Sequence, residues 1–229
     1  MLTERGRKIL NGMQVADSIA IDCHKTMFLP LGTGCILVKD EQHLRETNFV
    51  PESGYWPPKN LKSLKHIEFC EYGPELSREC RGLRAWLPIK IHGFKAFEES
   101  LNEKLDLGIY LNQELLKHSK ELNIDILSPN PPLLPLIVFR FYKEGIELSK
   151  LERINYEIMN IINSHGDIFI TGTDLYDKGY VCRVCILSHK THKSDIEKTL
   201  NYILSAFKEI NTNLKKYLTQ ITLNNTNTN

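Results

Sequence analysis

The sequence predicts an α/β protein whose second half is a small α+β layer, and three patterns carry that expectation. Between Leu133 and Ile210, strand-like and helix-like stretches follow in the order βαββα, which suits a small antiparallel sheet covered by helices. Between Ser77 and Leu122, apolar residues recur at helical spacing. Between Val15 and Val38, two β-rich runs flank a loop holding Pro30, Gly32 and Gly34.

Each element has its own local reason. Leu2 to Leu10 forms a short helix that Gly12 ends. Val15 to Ile21, with small and acidic residues interleaved, reads as a buried strand, and Cys35-Ile36-Leu37-Val38 is a second. Glu41 to Arg45 continues as a surface turn or short helix. Pro51, Gly54, Pro57 and Pro58 then forbid a long regular element, and Tyr55 and Trp56 beside them read as an ordered loop packed on the body. Ser77 is a plausible cap for the helix that follows, with Leu83, Trp86, Leu87, Ile89 and Ile91 along one face. His92-Gly93 breaks that helix, and Phe94 to Leu122 makes a longer amphipathic one.

Ser128-Pro129-Asn130-Pro131-Pro132 is a rigid boundary. Beyond it come a strand (Leu133 to Tyr142), a helix (Leu148 to Asn163), two strands (Ile168 to Thr173 and Tyr180 to Leu187) and a final helix (Thr191 to Ile210). The Asn- and Thr-rich end, Thr219 to Asn229, is expected to be disordered.

Composition narrows the function classes. The 229 residues, 41% hydrophobic and 25% charged, belong to an ordinary globular chain able to bury a core. A net charge of +1 favours neither nucleic acid nor an anionic membrane as partner. No apolar run approaches the roughly 20 residues that a membrane span needs. Six cysteines without a dense framework suit reduced thiols and a cytoplasmic location.

Two positions carry chemistry. A lysine at a strand end can lose a proton when desolvated, and its amine condenses with carbonyls, so Lys25 beside His24 suits imine chemistry. By itself a His-Lys pair in a loop reads first as a solvated pair. Arg183 lies inside a strand between Val181 and Val184, where it costs desolvation unless an anion pairs with it. That anion is either a neighbouring acid or a ligand. Cys182 and Cys185 sit at odd spacing in a strand and point to opposite faces, and His66-x3-Cys70 is a lone pair, so no metal site is expected.

These residues resemble a known set. Asp17-Ser18, Asp22-x-His24-Lys25, Pro30, Gly32-Thr33-Gly34 and Val38-Lys39-Asp40 look like the lysine segment of the pyridoxal-phosphate-dependent group II amino-acid decarboxylases, which include the aromatic-amino-acid, glutamate and diaminobutyrate decarboxylases. Gly73-Pro74-Glu75-Leu76-Ser77-Arg78 with Arg81-Gly82-Leu83-Arg84-Ala85-Trp86 is similar to the family's arginine-rich helix start. His92-Gly93, Leu101-x-Glu103-Lys104, and Val181 to Leu187 with Thr191 and Asp195-Ile196 continue the pattern, so the match runs from about residue 5 to 210.

The resemblance implies the C-terminal part of the aspartate-aminotransferase-like PLP-dependent transferase fold. Residues 1–110 would be a partial large, cofactor-binding domain, 111–210 a small α+β domain, and 211–229 a disordered tail. It implies pyridoxal 5'-phosphate bound as a Schiff base on Lys25, with His24 and Asp22 at its phosphate. An anionic Asp22 beside a phosphate dianion is unfavourable, which favours His24 for that role. Tyr72 would be the loop tyrosine that returns a proton after carbon dioxide departs, and Arg183 would meet the substrate's α-carboxylate. The implied activity is decarboxylation of an L-amino acid, aromatic first and glutamate or diaminobutyrate behind it. In the family the aspartate that pairs with the pyridine nitrogen precedes the segment equivalent to Leu2. The pocket is therefore expected to be incomplete in this chain alone, and to need a homodimer or a complementing N-terminal chain. The alternative is an inactive fragment, or a partner-binding subunit of a split decarboxylase.

Overall fold

The computed structural model describes residues 2–48 and 69–226, with side chains described as far as Ile221. The loop expected around Pro51, Gly54, Tyr55, Trp56, Pro57 and Pro58, and His66 of the His-x3-Cys pair, lie outside the described residues. The chain divides into two compact units, Met1–Glu98 and Glu99–Asn229, a division that falls ahead of the expected one after residue 110.

The first unit begins with α1 (Glu4–Ile9), capped by Thr3, whose hydroxyl accepts from the Gly6 amide at 2.9 Å. A 3-10 turn, Met13–Val15, leads into β1 (Ser18–Asp22), the single helical turn α2 (Cys23–Thr26) and β2 (Gly34–Val38). β1 and β2 pair antiparallel, with Ser18 opposite Val38 and Asp22 opposite Gly34. Helix α3 (Glu41–Thr47) follows, capped by Asp40. A 3-10 turn at Phe69–Tyr72 precedes the helical run α4 (Arg81–Leu122), which Gly93 breaks at φ 75°, ψ 158° as its position in His92-Gly93 predicts.

The apolar run predicted as a buried strand is not buried here. β1 is shielded only in part, Val15 is exposed, and Ile36 and Leu37 of β2 are more than half exposed. The reason is that β1 finds one neighbour, β2, and two paired strands cannot cover their own faces. The start of α4 shows the same. Leu83, Trp86, Leu87 and Ile91 of the apolar stripe read from the sequence face outward, with Ile91 65% exposed, while Ile89 turns to the core; Phe94, past the break, is exposed as well. What this unit does bury is a small core of Cys23, Leu29 and Phe97, with Ile21, Phe28, Ala85 and Ile89 against it.

The second unit is built on a four-stranded antiparallel sheet in the order β3-β4-β6-β5. Its strands are β3 (Ile124–Ile126), β4 (Leu136–Phe141), β5 (Thr171–Leu175) and β6 (Gly179–Cys185). Ile137, Phe139 and Phe141 alternate onto one face of β4 and are fully buried. They share a core with Leu111 and Leu115 of α4, with Ile154, Ile158 and Ile162 of α5 (Leu148–Ser164), and with Ile203, Phe207 and Ile210 of α6 (Lys193–Thr212). Asn155, buried in α5, clamps β4: its Oδ1 accepts from the Phe141 amide at 2.6 Å and its Nδ2 donates to the Phe141 carbonyl at 3.2 Å. The βαββα order holds, with one short strand, β3, added before it.

The disordered-tail expectation is corrected by helix α7, Leu214–Thr226. Leu214, Tyr217, Leu218 and Ile221 recur at i, i+3, i+4 and i+7 and pack on the core. Burial of that stripe outweighs the weak helix propensity of the Asn- and Thr-rich composition around it.

Candidate active site

Lys25 is placed by the strand before it and by buried residues on both sides of it. β1 ends at Asp22, and the chain turns at once into α2, where Cys23 is drawn inward while Lys25 points out. Leu29, also buried, ties its amide to the Cys23 carbonyl at 3.3 Å and closes the loop. Phe28 takes the left-handed conformation (φ 56°), unusual for an aromatic residue and held by the packing around it.

Lys25 Nζ donates to Asp22 Oδ2 at 2.6 Å, and both side chains are more than half exposed. The hydrogen bond and the charge of Lys25 hold the Asp22 carboxyl below its ordinary range. His24 is fixed by a turn. Pro30 to Thr33 closes through the Thr33 amide and hydroxyl, which donate to the Pro30 carbonyl at 3.3 and 2.7 Å, and Gly32 occupies its third position at φ 82°. The turn aims the Thr33 carbonyl at His24, whose backbone amide lies 3.2 Å and ring Nδ1 3.3 Å from that oxygen. A carbonyl only accepts, so Nδ1 carries the proton, and in the neutral ring Nε2 keeps the lone pair.

Tyr72 and Arg183 are engaged elsewhere. The Tyr72 hydroxyl donates to Glu41 at 3.0 Å, and that bond pushes the phenol above its ordinary range. Next to it, Arg45 and Glu71 pair at 2.8 Å. Arg183 belongs to the second unit, where its Nε donates to Thr171 Oγ1, its cross-strand neighbour, at 3.2 Å. The acid that the sequence allowed as a structural partner does not pair with it: Arg183 forms no ion pair among the described residues. The structure thus brings Asp22, His24 and Lys25 together, while Tyr72 contacts α3 and Arg183 contacts β5. Cys182 is buried and Cys185 exposed, on opposite faces of β6.

Sequence reasoning missed two features. The deeply buried strand arginine is Arg140, whose Nε meets Asp125 at 2.8 Å and whose Nη1 donates to the Lys178 carbonyl at 2.7 Å. The signal was an arginine between Phe139 and Phe141. The Thr33 carbonyl was missed because backbone groups leave no mark beyond the turn residues that aim them.

Comparison with known proteins identifies the family and the fold. The pyridoxal-dependent decarboxylase conserved domain matches residues 1–142. The chain belongs to the pyridoxal-dependent decarboxylase family. An aromatic-L-amino-acid decarboxylase of Bacillus atrophaeus is 29% identical over 215 residues, which are 92% of this chain and 42% of that relative. Tryptophan decarboxylase 2 of Oryza sativa subsp. japonica is 24% identical, over 83% of this chain and 37% of its own length. The crystal structure of Oryza sativa TDC with PLP and tryptamine superposes with a TM-score of 0.77 at 17% identity, covering 89% of this chain and 41% of that one. The fold is therefore part of the PLP-dependent decarboxylase fold, and the chain spans about two fifths of the length of these relatives. Pyridoxal phosphate is the cofactor of this family. No helix among the described residues is long and apolar enough to cross a membrane.

Proposed function

We propose that this chain carries the lysine-bearing part of a PLP-dependent L-amino-acid decarboxylase acting on an aromatic amino acid. The observation that carries the reading is the Asp22–His24–Lys25 constellation. An outward amine and an imidazole fixed through Nδ1 sit on one strand-to-turn junction, inside the segment that the family domain matches. This donor set fits an aldehyde that bears a phosphate: a primary amine for one, a ring nitrogen for the other.

In this reading Lys25 would hold the cofactor's aldehyde, and His24, in its doubly protonated form with Nδ1 on the Thr33 carbonyl, would donate from Nε2 to the phosphate. Asp22, anionic and bound to Nζ, orients the amine and must release it before the amine reacts; its charge argues against the phosphate role. The bound cofactor supplies an electron sink, and the chain supplies orientation and charge. Tyr72 is kept protonated, the form that a proton donor needs, and it reaches a substrate only after leaving Glu41. Arg183, held through Nε, keeps Nη1 and Nη2 for a carboxylate. The relatives' names favour an aromatic substrate over diaminobutyrate.

One observation favours a second element of the reading. The outward stripe of Trp86, Ile91 and Phe94 and the exposed face of β2 are surfaces that soluble proteins cover, so unit one binds further polypeptide, as a homodimer or with a complementing chain, in the cytoplasm.

The experiment is absorbance of the purified chain with added pyridoxal phosphate, followed by borohydride reduction and peptide mass mapping. The expected result is a weak band and a pyridoxyl mass concentrated at Lys25, abolished in Lys25→Ala and weakened in His24→Ala. Modification spread evenly over the chain's other lysines would remove the site. A strong signal at Lys25 without added polypeptide would instead remove the claim that the pocket needs completing.

A further inference from the structure

The second unit holds a groove of about 480 Å³ between α5, the β5–β6 hairpin and α7, within the range of small-molecule sites. Three tyrosines line it, Tyr156, Tyr180 and Tyr217, together with three carboxylates, Glu152, Glu157 and Asp174. Two glycines seat these groups. A Cβ at Gly172 would come 2.1 Å from the Tyr180 hydroxyl oxygen, so the ring rests where only glycine leaves room. A Cβ at Gly179 would come 2.6 Å from Cγ of Glu152, which lies across that turn. Tyr156 meets Tyr180 edge-on with ring centres 5.5 Å apart, which adds aromatic surface to the wall.

The charge of the groove is one-sided. None of the three carboxylates forms an ion pair among the described residues, and Arg153, whose Nη1 donates to the Ile221 carbonyl at 3.4 Å, is the one cationic side chain of the lining. Burial pushes the Tyr180 and Tyr217 phenols up, and for Tyr217 the hydrogen bond to Glu209, outside the groove, comes next, with Asp174 near Tyr180 and Glu157 near Tyr217 adding least. Aromatic faces beside unpaired carboxylates are the surroundings that attract an organic cation.

We propose that this groove binds a small arylalkylammonium ion, its ring against the tyrosines and its ammonium among Glu152, Glu157 and Asp174. The same field rejects the parent amino acid, whose own carboxylate would meet three others. The groove therefore separates an amine from the amino acid it comes from. Its use as a sensor of a decarboxylation product rests on the function proposed above; the binding itself does not.

The test is calorimetric or NMR titration of the chain with phenethylammonium, phenylalanine, 2-phenylethanol and N-acetyl-lysine methylamide. Phenethylammonium is expected to bind about tenfold more tightly than the other three. Glu157→Gln with Asp174→Asn, and separately Tyr156→Ala, should each weaken it several-fold, while Lys25→Ala leaves it unchanged. Equal binding of the neutral alcohol would overturn the proposal, as would loss of binding in Lys25→Ala. Equal binding of the lysine amide would assign the groove to a lysine-bearing segment instead. The ligand series on the unaltered chain decides the matter even where a variant fails to fold. Failure here leaves pyridoxyl labelling at Lys25 untouched, so the two readings fall separately.

Discussion

Two glycines that stand two residues apart, Gly32 and Gly34, should respond oppositely to the same substitution. At neither does an added Cβ meet any atom within 4 Å, so Gly32→Ala and Gly34→Ala are free of clash and differ only in backbone conformation. Gly32 sits at φ 82°, where an alanine costs roughly 1–2 kcal/mol. Gly34 opens β2 outside the left-handed region, where replacing glycine is neutral or stabilises by about 0.4–1 kcal/mol through the unfolded chain. The assay is amide hydrogen exchange at His24, whose N–H is bonded to the Thr33 carbonyl that the turn aims. Gly32→Ala should lower its protection by about 5- to 30-fold, since each 1.4 kcal/mol is tenfold. Gly34→Ala should leave it unchanged or raise it. Equal losses in both variants would refute the reasoning, because space would then matter and conformation would not. No loss in Gly32→Ala would show that the turn does not hold His24.

Asn155→Leu strands the Phe141 amide and carbonyl in the core and should cost about 2–4 kcal/mol, a shift of about 1–2 M in the urea midpoint; a shift below 0.5 M would sink the clamp (on the order of the noise in surface substitutions). The Cys182 thiol, pushed up to about 12 by burial, should resist an aromatic disulfide reagent at pH 8, while exposed Cys35 and Cys80 react at once; reaction of Cys182 in the native chain would contradict its place in the core. Burial raises the Glu103 carboxyl, but hydrogen bonds from Lys104 and His192 outweigh burial and hold it below its ordinary 4.5. A depressed folded value means that the contribution is full above the unfolded value and is lost as pH falls through the folded one. Glu103→Gln should therefore flatten the thermal stability profile below about pH 4.5 and leave its shape at pH 7 to 8 unaltered. A variant that tracks the parent's acid limb would rule that out.

Much of the architecture was legible because it is written locally. Gly93 after His92 takes the positive φ that breaks α4, Thr3 and Asp40 cap because their side chains reach an amide two or three residues on, and period-two alternation places Ile137, Phe139 and Phe141 on one face of β4. The lysine segment was legible because its spacing lies within a strand, a turn and a loop. Helix α7 was legible too, through the stripe Leu214, Tyr217, Leu218 and Ile221, but the composition around it masked the period.

What the sequence could not decide depends on residues far apart in the chain. Asp125 lies fifteen positions from Arg140, and Tyr72 lies thirty-one from Glu41. Such pairs form because the fold brings them within hydrogen-bond reach, and no local period announces them. The same limit applies to burial. Amphipathic spacing from Leu83 to Ile91 set which side of the start of α4 is apolar, but whether that side meets a core or solvent is decided by what packs on it. The sequence by itself determined that Lys25 follows a strand beside His24. The Asp22–Lys25 pair, three residues apart, is local to the turn of α2, whereas only the tertiary structure decided that the Thr33 carbonyl sets the protonated nitrogen of His24, because that depends on how the chain folds back at Gly32.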